Sequence, residues 1–302
     1  MVSFAARREM ASLRASHSKR FYADPSTMRA KLAKHQHPSK TRPPRWARRG
    51  VRFAAELVGG VRCYIFAPRP QAGLETHRIL HFHGGGFVEE PEAHHWRFMR
   101  WLVRHTGATV IFPIYPLCPT AGHQRIRACV HAVYDRFLAD FDGPHFVFGD
   151  SAGGALTLDL VDTLRTDRQR LPTGLGLFSP WLDLGVSDPR SEEIDAADPE
   201  LGVAGLRQAG HWYAGPEPLD DPGISPIYQD LAGFPPIAVF TGTSDILNPD
   251  AHRVAEAGTR RGVRVDLHEY DGMFHNWVMQ KIPEGARART EVARFLDRAR
   301  DG

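Results

Sequence analysis

One serine in this chain sits where a serine can be made reactive. The stretch HFVFGDSAGGALTLDL, His145 to Leu160, begins as an apolar run, passes Gly149, Ser151 and Gly153, and continues with apolar residues at helical spacing. A G-x-S-x-G pattern between a strand and a helix makes a sharp, strained turn, and only small neighbours fit around it. Such a turn lifts the hydroxyl clear of the sheet. It also sets the Ala152 N–H beside a developing oxyanion, at the positive end of a helix. With 12 serines and 28 glycines, the spacing alone arises by chance in about one such chain in ten. The flanking strand and helix therefore carry much of the argument. The competing use of the same residue is as a helix cap.

A neutral serine needs a base, and the base needs an orienting partner. In a strand-turn-helix site of this kind the order along the chain is serine, acid, histidine. Asp245, in Gly242-Thr243-Ser244-Asp245, and His275, in Asp271-Gly272-Met273-Phe274-His275, satisfy it. Each follows a strand-like run, at the strand ends where open α/β sheets bind ligands. Upstream, His83-Gly84-Gly85-Gly86-Phe87 offers backbone N–H groups unobstructed by side chains. Gly84 and Gly85, with Ala152, are expected to form the oxyanion hole. Asp150, Asp183, Asp250 and Asp271 are competing acids; Asp250 is expected to cap a helix and Asp271 to shape a turn with Gly272. Of 16 histidines, none has the spacing of a zinc site. His81, His83, His94 and His95 are expected to be structural or surface groups.

The elements that must position these residues alternate. Val51–Leu57 and Val61–Phe66 flank Gly59-Gly60 and read as a hairpin. Strands follow at Arg78–His83, Ala108–Tyr115, His145–Phe148, Gly174–Phe178, Ile237–Thr241 and Arg264–Tyr270. Helices are expected over His123–Phe141, Ala152–Thr166, Asp250–Arg261 and from Glu284 onward. Pro113 marks an edge or a strand end. The pattern implies an α/β fold with a mostly parallel sheet, helices on both faces and an antiparallel edge. Before residue 50 the chain is basic, with a short helix expected within Ala5–Phe21 and irregular chain over His35–Arg49. Between Trp181 and Phe234 the alternation lapses, as for an insertion over one end of the sheet.

Composition narrows the classes. The chain has 302 residues, a net charge of +3 and 42% hydrophobic residues. That is ordinary for a globular protein and gives no sign of a nucleic-acid partner. The arginines of Arg42–Arg49 read as a solvated connector, with a phosphate or anionic-lipid patch as the alternative. No apolar run reaches the roughly 18 residues of a membrane span. The first residues lack the apolar core of a signal peptide. Cys63, Cys118 and Cys129 give an odd count without paired spacing, and Cys63 and Cys118, in apolar strand-like runs, read as buried thiols. A reducing cytoplasm is the expected location.

The chain resembles the hormone-sensitive-lipase-like branch of the α/β-hydrolases, the bacterial family IV type. The matching stretches are His83–Phe87, Tyr115-Pro116-Leu117-Cys118-Pro119, Gly149–Gly154, Ser179-Pro180-Trp181-Leu182-Asp183-Leu184, Gly242–Leu247 and Gly272–His275. They keep the family's order and cover roughly residues 50 to 300. The resemblance implies one α/β-hydrolase domain over 1–302, with an eight-stranded sheet and a helical cap drawn from about 1–49 and 181–234. It implies Ser151 as nucleophile, His275 as base and Asp245 as acid, and hydrolysis of short- to medium-chain esters without a metal or organic cofactor. Many relatives dimerise. Thr120 stands where the family usually has an acid, and His81 or Phe82 where it often has tyrosine. Phe87, Trp181, Trp212, Tyr213, Met273 and Phe274 are expected to line the acyl or alcohol pocket. The rival readings are an amide deacylase or lipase on the same triad, and a ligand-binding homologue without turnover.

Overall fold

The computed structural model describes residues 1–16, 19–37, 41–69 and 77–301. Parts of the segments read above as a helix within 5–21 and as irregular chain over 35–49, namely 17–18 and 38–40, lie outside the described residues. Eight strands are present: β1 (Arg52–Val58), β2 (Val61–Ala67), β3 (Arg78–Phe82), β4 (Thr109–Ile114), β5 (His145–Asp150), β6 (Gly174–Phe178), β7 (Ile237–Gly242) and β8 (Val265–Tyr270). They form one sheet in the order β1-β2-β4-β3-β5-β6-β7-β8. The β1–β2 hairpin and the β2–β4 pair are antiparallel; every other pair is parallel. The antiparallel edge is thus where the hairpin signal puts it. Pairing between β3 and β4 ends at Ile111, so at Pro113 the strand is bordered by β2 alone. A missing N–H is tolerated in such a place.

Parallel neighbours require crossovers, and helices supply them. The helices are α1 (Phe4–Ser16), α2 (Lys19–Ala23), α3 (Pro25–His35), α4 (Ala93–Thr106), α5 (His123–Tyr134), α6 (Ala152–Thr166), α7 (Pro189–Asp195), α8 (Val203–Ala214), α9 (Asn248–Arg260) and α10 (Pro283–Asp301). Side chains alternate across each strand, so a central strand feeds two cores. In β5, Val147 joins the core beneath α5, α6 and α9, while Phe146 and Phe148 join the core beneath α4 and α10. In β7, Ile237 and Val239 face the first core, and Ala238 and Phe240 the second.

The first fifty residues are more ordered than their sequence suggests. Among the described residues, three α-helices and a short 3-10 helix at Arg45–Arg48 occupy them. Phe21, Tyr22, Met28 and Leu32 of α2 and α3 are buried in the same core as Leu206 and Tyr213 of α8. Segments this short and basic have little helical stability of their own; packing supplies it. Cys63, Cys118 and Cys129 are buried and unpaired, Cys63 on β2 and Cys118 in the loop after β4.

Candidate active site

The turn at Ser151 follows directly from its neighbours. β5 ends at Asp150 and α6 begins at Ala152, which leaves Ser151 alone to reverse the chain at φ +51° and ψ −122°. A non-glycine residue held there stores about 1–3 kcal/mol of strain. Its surroundings enforce it: the Ser151 N–H donates to Phe178 O at 2.9 Å, and the Trp181 N–H donates to Ser151 O at 3.0 Å. A Cβ on Gly153 would lie 2.0 Å from Phe82 O, and one on Gly149 would lie 2.1 Å from Gly153 O. Both glycines are needed to bring helix and strand together. The Ser151 hydroxyl makes no capping hydrogen bond, so the cap alternative is not realised.

His275 and Asp245 meet across two strand ends. The His275 Nδ1–H donates to Asp245 Oδ2 at 3.0 Å, which leaves Nε2 as the basic nitrogen. The other Asp245 oxygen, Oδ1, accepts from Leu247 N–H at 2.9 Å. Behind this pair lies a second buried carboxylate that sequence reasoning missed. Asp198, after α7, accepts from Ile246 N–H at 3.0 Å and from the N–H groups of Glu200 and Leu201. Burial and the nearby Asp245 charge push the Asp198 carboxyl up to about 6. Burial opposes a charge on His275, but Asp245, Glu200 and Asp198 together outweigh it and raise the imidazole to about 9.

Asp150, read from sequence as a competing acid, is the junction of the site. It is fully buried. Its Oδ1 accepts from His81 Nε2 at 2.9 Å; its Oδ2 accepts from His95 Nε2 at 3.1 Å, Gly84 N–H at 3.0 Å and Asn276 Nδ2 at 2.8 Å. Burial alone would favour its neutral form, but the His95 and His81 contacts hold it well below the usual carboxylate range. His95 Nδ1 accepts from the Glu92 N–H at 2.9 Å, so His95 is the tautomer that donates from Nε2. One carboxylate thereby ties together the glycine loop, α4 and the residue after His275. Asn276 is fixed a second time, its N–H donating to Ser179 Oγ at 3.1 Å.

This junction corrects one expectation. The Gly84 N–H is committed to Asp150 and is not free for an oxyanion. Gly85 and Gly86 are the glycines that line the cavity above Ser151. The loop is fixed further by Tyr115, whose hydroxyl donates to His83 O at 2.6 Å and whose ring stacks on His83 at 4.3 Å. His81, His83, His94 and His95 are all buried.

The cavity measures about 130 Å³ and is lined by Ser151, His275, Asn276, Gly85, Gly86, His94 and His95. Leu13, Tyr22 and His35 from the N-terminal helices, Leu201, Leu206 from α8, and Glu89, Glu90, Glu92 and Glu200 complete its wall, with no lysine or arginine among the described residues. Tyr22 donates to Glu89 Oε2 at 2.5 Å, and His35 bonds the other oxygen of Glu89. The aromatic list from sequence lies elsewhere. Phe87 stacks on Tyr213 at 4.0 Å and packs against Trp181 at 5.7 Å. Met273 and Phe274 are buried in the core beneath α4 and α10, and Trp212 packs partly exposed against the other core. None of the six lines the cavity; large apolar residues beside a site are as readily drawn into the core. Asp250 is a further correction. It does not cap α9; its Oδ2 accepts from the N–H groups of Leu182 and Asp183, each at 2.8 Å.

A strand-turn-helix serine, a paired histidine and a glycine loop now stand around one cavity. A family model described as alpha/beta hydrolase fold matches residues 79–279. The chain belongs to the α/β-hydrolases. An esterase of Acinetobacter venetianus is 32% identical over 73% of this chain and 74% of its own. An acetyl-hydrolase of Streptomyces hygroscopicus is 30% identical over 72% and 74%. A solved hormone-sensitive lipase from a metagenome library superposes with a TM-score of 0.83 at 27% identity, over 98% of each chain. Within the α/β-hydrolases the chain falls in the hormone-sensitive-lipase-like branch. Among the described residues, no helix of this α/β-hydrolase is long and apolar enough to cross a membrane.

Proposed function

We propose that this carboxylic-ester hydrolase cleaves short-chain acyl esters through a covalent acyl-enzyme on Ser151. The observation that carries the reading is the 3.0 Å His275–Asp245 hydrogen bond beside a strained Ser151 in the same cavity. Ser151 Oγ attacks the acyl carbon as its proton passes to His275 Nε2. Asp245 holds the ring and stabilises the imidazolium. The oxyanion is met by the N–H groups of Gly85, Gly86 and Ala152. The alcohol leaves with the proton from His275. Water, deprotonated by the same nitrogen, then releases the acid and restores the serine. Helices α2, α3 and α8 act as the cap.

The cavity supports the chain-length limit. A volume of 130 Å³ lies below the roughly 300–1,000 Å³ of drug-sized ligand sites. Across p-nitrophenyl esters from acetate to palmitate, kcat/KM is expected to peak at acetate to butyrate and to fall at least tenfold by octanoate. A palmitate optimum would overturn the short-chain reading in favour of a lipase. Faster turnover of a p-nitroanilide than of the matching ester would favour the amide deacylase.

The raised imidazole pKa fixes the pH profile. The base works only when neutral, so kcat/KM for p-nitrophenyl acetate is expected to climb with pH until its ascending limb levels near 9. The sign for stability is the reverse. A histidine whose folded pKa lies above its ordinary 6.5 stabilises fully below 6.5, and that contribution is lost as pH rises through 9. A limb at 6 to 7 in the free enzyme would contradict the assignment.

A further inference from the structure

A second cavity, which shares no lining residue with the one at Ser151, carries the opposite charge. It measures about 510 Å³ and is lined by Arg97, Arg100, Arg104, Arg289, Lys281 and Trp46, with no aspartate or glutamate in its wall. Arg97, Arg100 and Arg104 fall at i, i+3 and i+7 of α4 and so share one face; the facing side comes from α10 and the segment before it. None of the five cations forms an ion pair among the described residues. Among the described residues, Arg100 donates only to Arg49 O, and Arg289 only to the carbonyls of Val278 and Gln280. Arg97, Arg104 and Lys281 make no side-chain hydrogen bond among the described residues. Burial lowers the pKa of Arg97 and of Arg289. Clustered cations repel one another and lose hydration, a cost that Glu9 and Glu92 offset in part at Arg97 and that a bound anion relieves further.

The rest of the wall joins the rings of Phe98, Trp101 and His105 to Ala93, Met279 and Gln280. Trp101 stacks on His105 at 4.9 Å, and the Arg289 guanidinium lies 5.9 Å over its ring. Trp46 is 36% exposed and takes part in no ring stacking among the described residues. A flat, available indole beside a fork of guanidinium groups suits a planar ring joined to a phosphate. The volume lies within the range of small-ligand sites. The glutamate-lined cavity at Ser151 would repel the same ligand, so the two sites are distinct in what they take.

We infer that this cavity binds an organic phosphate of nucleotide size, its anionic end held by Arg97, Arg104 and Lys281 and its planar ring on Trp46. Calorimetric titration of the full chain with AMP, adenosine and inorganic phosphate tests it, alongside sedimentation with phosphatidylcholine vesicles with and without phosphatidylglycerol. AMP is expected to saturate one site at least tenfold more tightly than adenosine or phosphate. The doubly substituted Arg97→Gln, Arg104→Gln chain is expected to lose at least tenfold in AMP affinity, and Trp46→Leu several-fold. Arg104→Gln alone is expected to keep ester turnover and thermal midpoint, which separates lost binding from lost fold. Absence of saturable AMP binding, or equal affinity in the doubly substituted chain, would overturn the inference. Arginine-dependent sedimentation with phosphatidylglycerol, without AMP binding, would assign the face to a membrane surface instead.

Discussion

Replacing Ser151 by alanine is expected to lower ester turnover by at least about 10⁴-fold while leaving the fold intact. In serine hydrolases generally, loss of the nucleophile costs up to about 10⁶ in turnover, with the remainder supplied by oxyanion binding and positioning. Two features make this substitution clean here. The Ser151 hydroxyl makes no capping bond, so no buried partner is orphaned. Alanine meets the same steric cost at φ +51° that serine already meets. Stability should therefore change by no more than about 0.5 kcal/mol. The check is turnover of p-nitrophenyl acetate beside a thermal melt. A mutant retaining a tenth of wild-type activity with an unchanged melt would exclude Ser151 as the nucleophile.

Asp150→Ala is expected to be the most damaging change at a residue outside the proposed triad. Four N–H donors converge on its carboxylate, from His81, His95, Gly84 and Asn276. Removing it leaves all four buried and without an acceptor, at a cost of about 3–5 kcal/mol. Turnover should fall too, because the glycine loop and the residue after His275 lose their common anchor. Asp150→Asn separates the electrostatic part. Three of the donors share Oδ2, which an amide oxygen can replace. Only His81 faces Oδ1, and it could accept from the amide after moving its proton to Nδ1, a buried atom with no hydrogen-bond partner. A loss of about 1–2 kcal/mol is expected for Asn. Urea unfolding of both variants measures the contrast. Equal losses would mean that the negative charge, rather than hydrogen-bond satisfaction, is what the junction requires.

The contrast between Ser151 and Asp150 also marks how far the sequence could be read. The serine announces itself locally, through glycines two residues to either side and the strand and helix that flank them. Strand and helix limits were equally local: the helix expected over Ala152–Thr166 is α6. Asp150 lies inside that motif, yet its role depends on residues 55 to 126 positions away. Those distances are set by strand order, which no short pattern encodes. The same applies to Gly84, whose N–H looks free in sequence and is taken by that carboxylate. The aromatic list failed for another reason. Hydrophobic size is the same signal whether a residue packs a core or lines a pocket. Tyr22, His35 and Leu206 reach the cavity from segments with no chemical motif at all.

The composition of the cavity wall has a consequence for synthesis. It draws on residues from Leu13 to Asn276. A chain emerging from the ribosome therefore exposes its serine turn long before its base exists. At about 5–20 residues per second, the interval between Ser151 and His275 lasts seconds to tens of seconds. Until then Ser151 lacks the proton acceptor that the proposed mechanism assigns to it, and fragments that end within that interval carry none. On the proposed mechanism hydrolysis needs both residues, so products truncated between them are expected not to act on the esters around them.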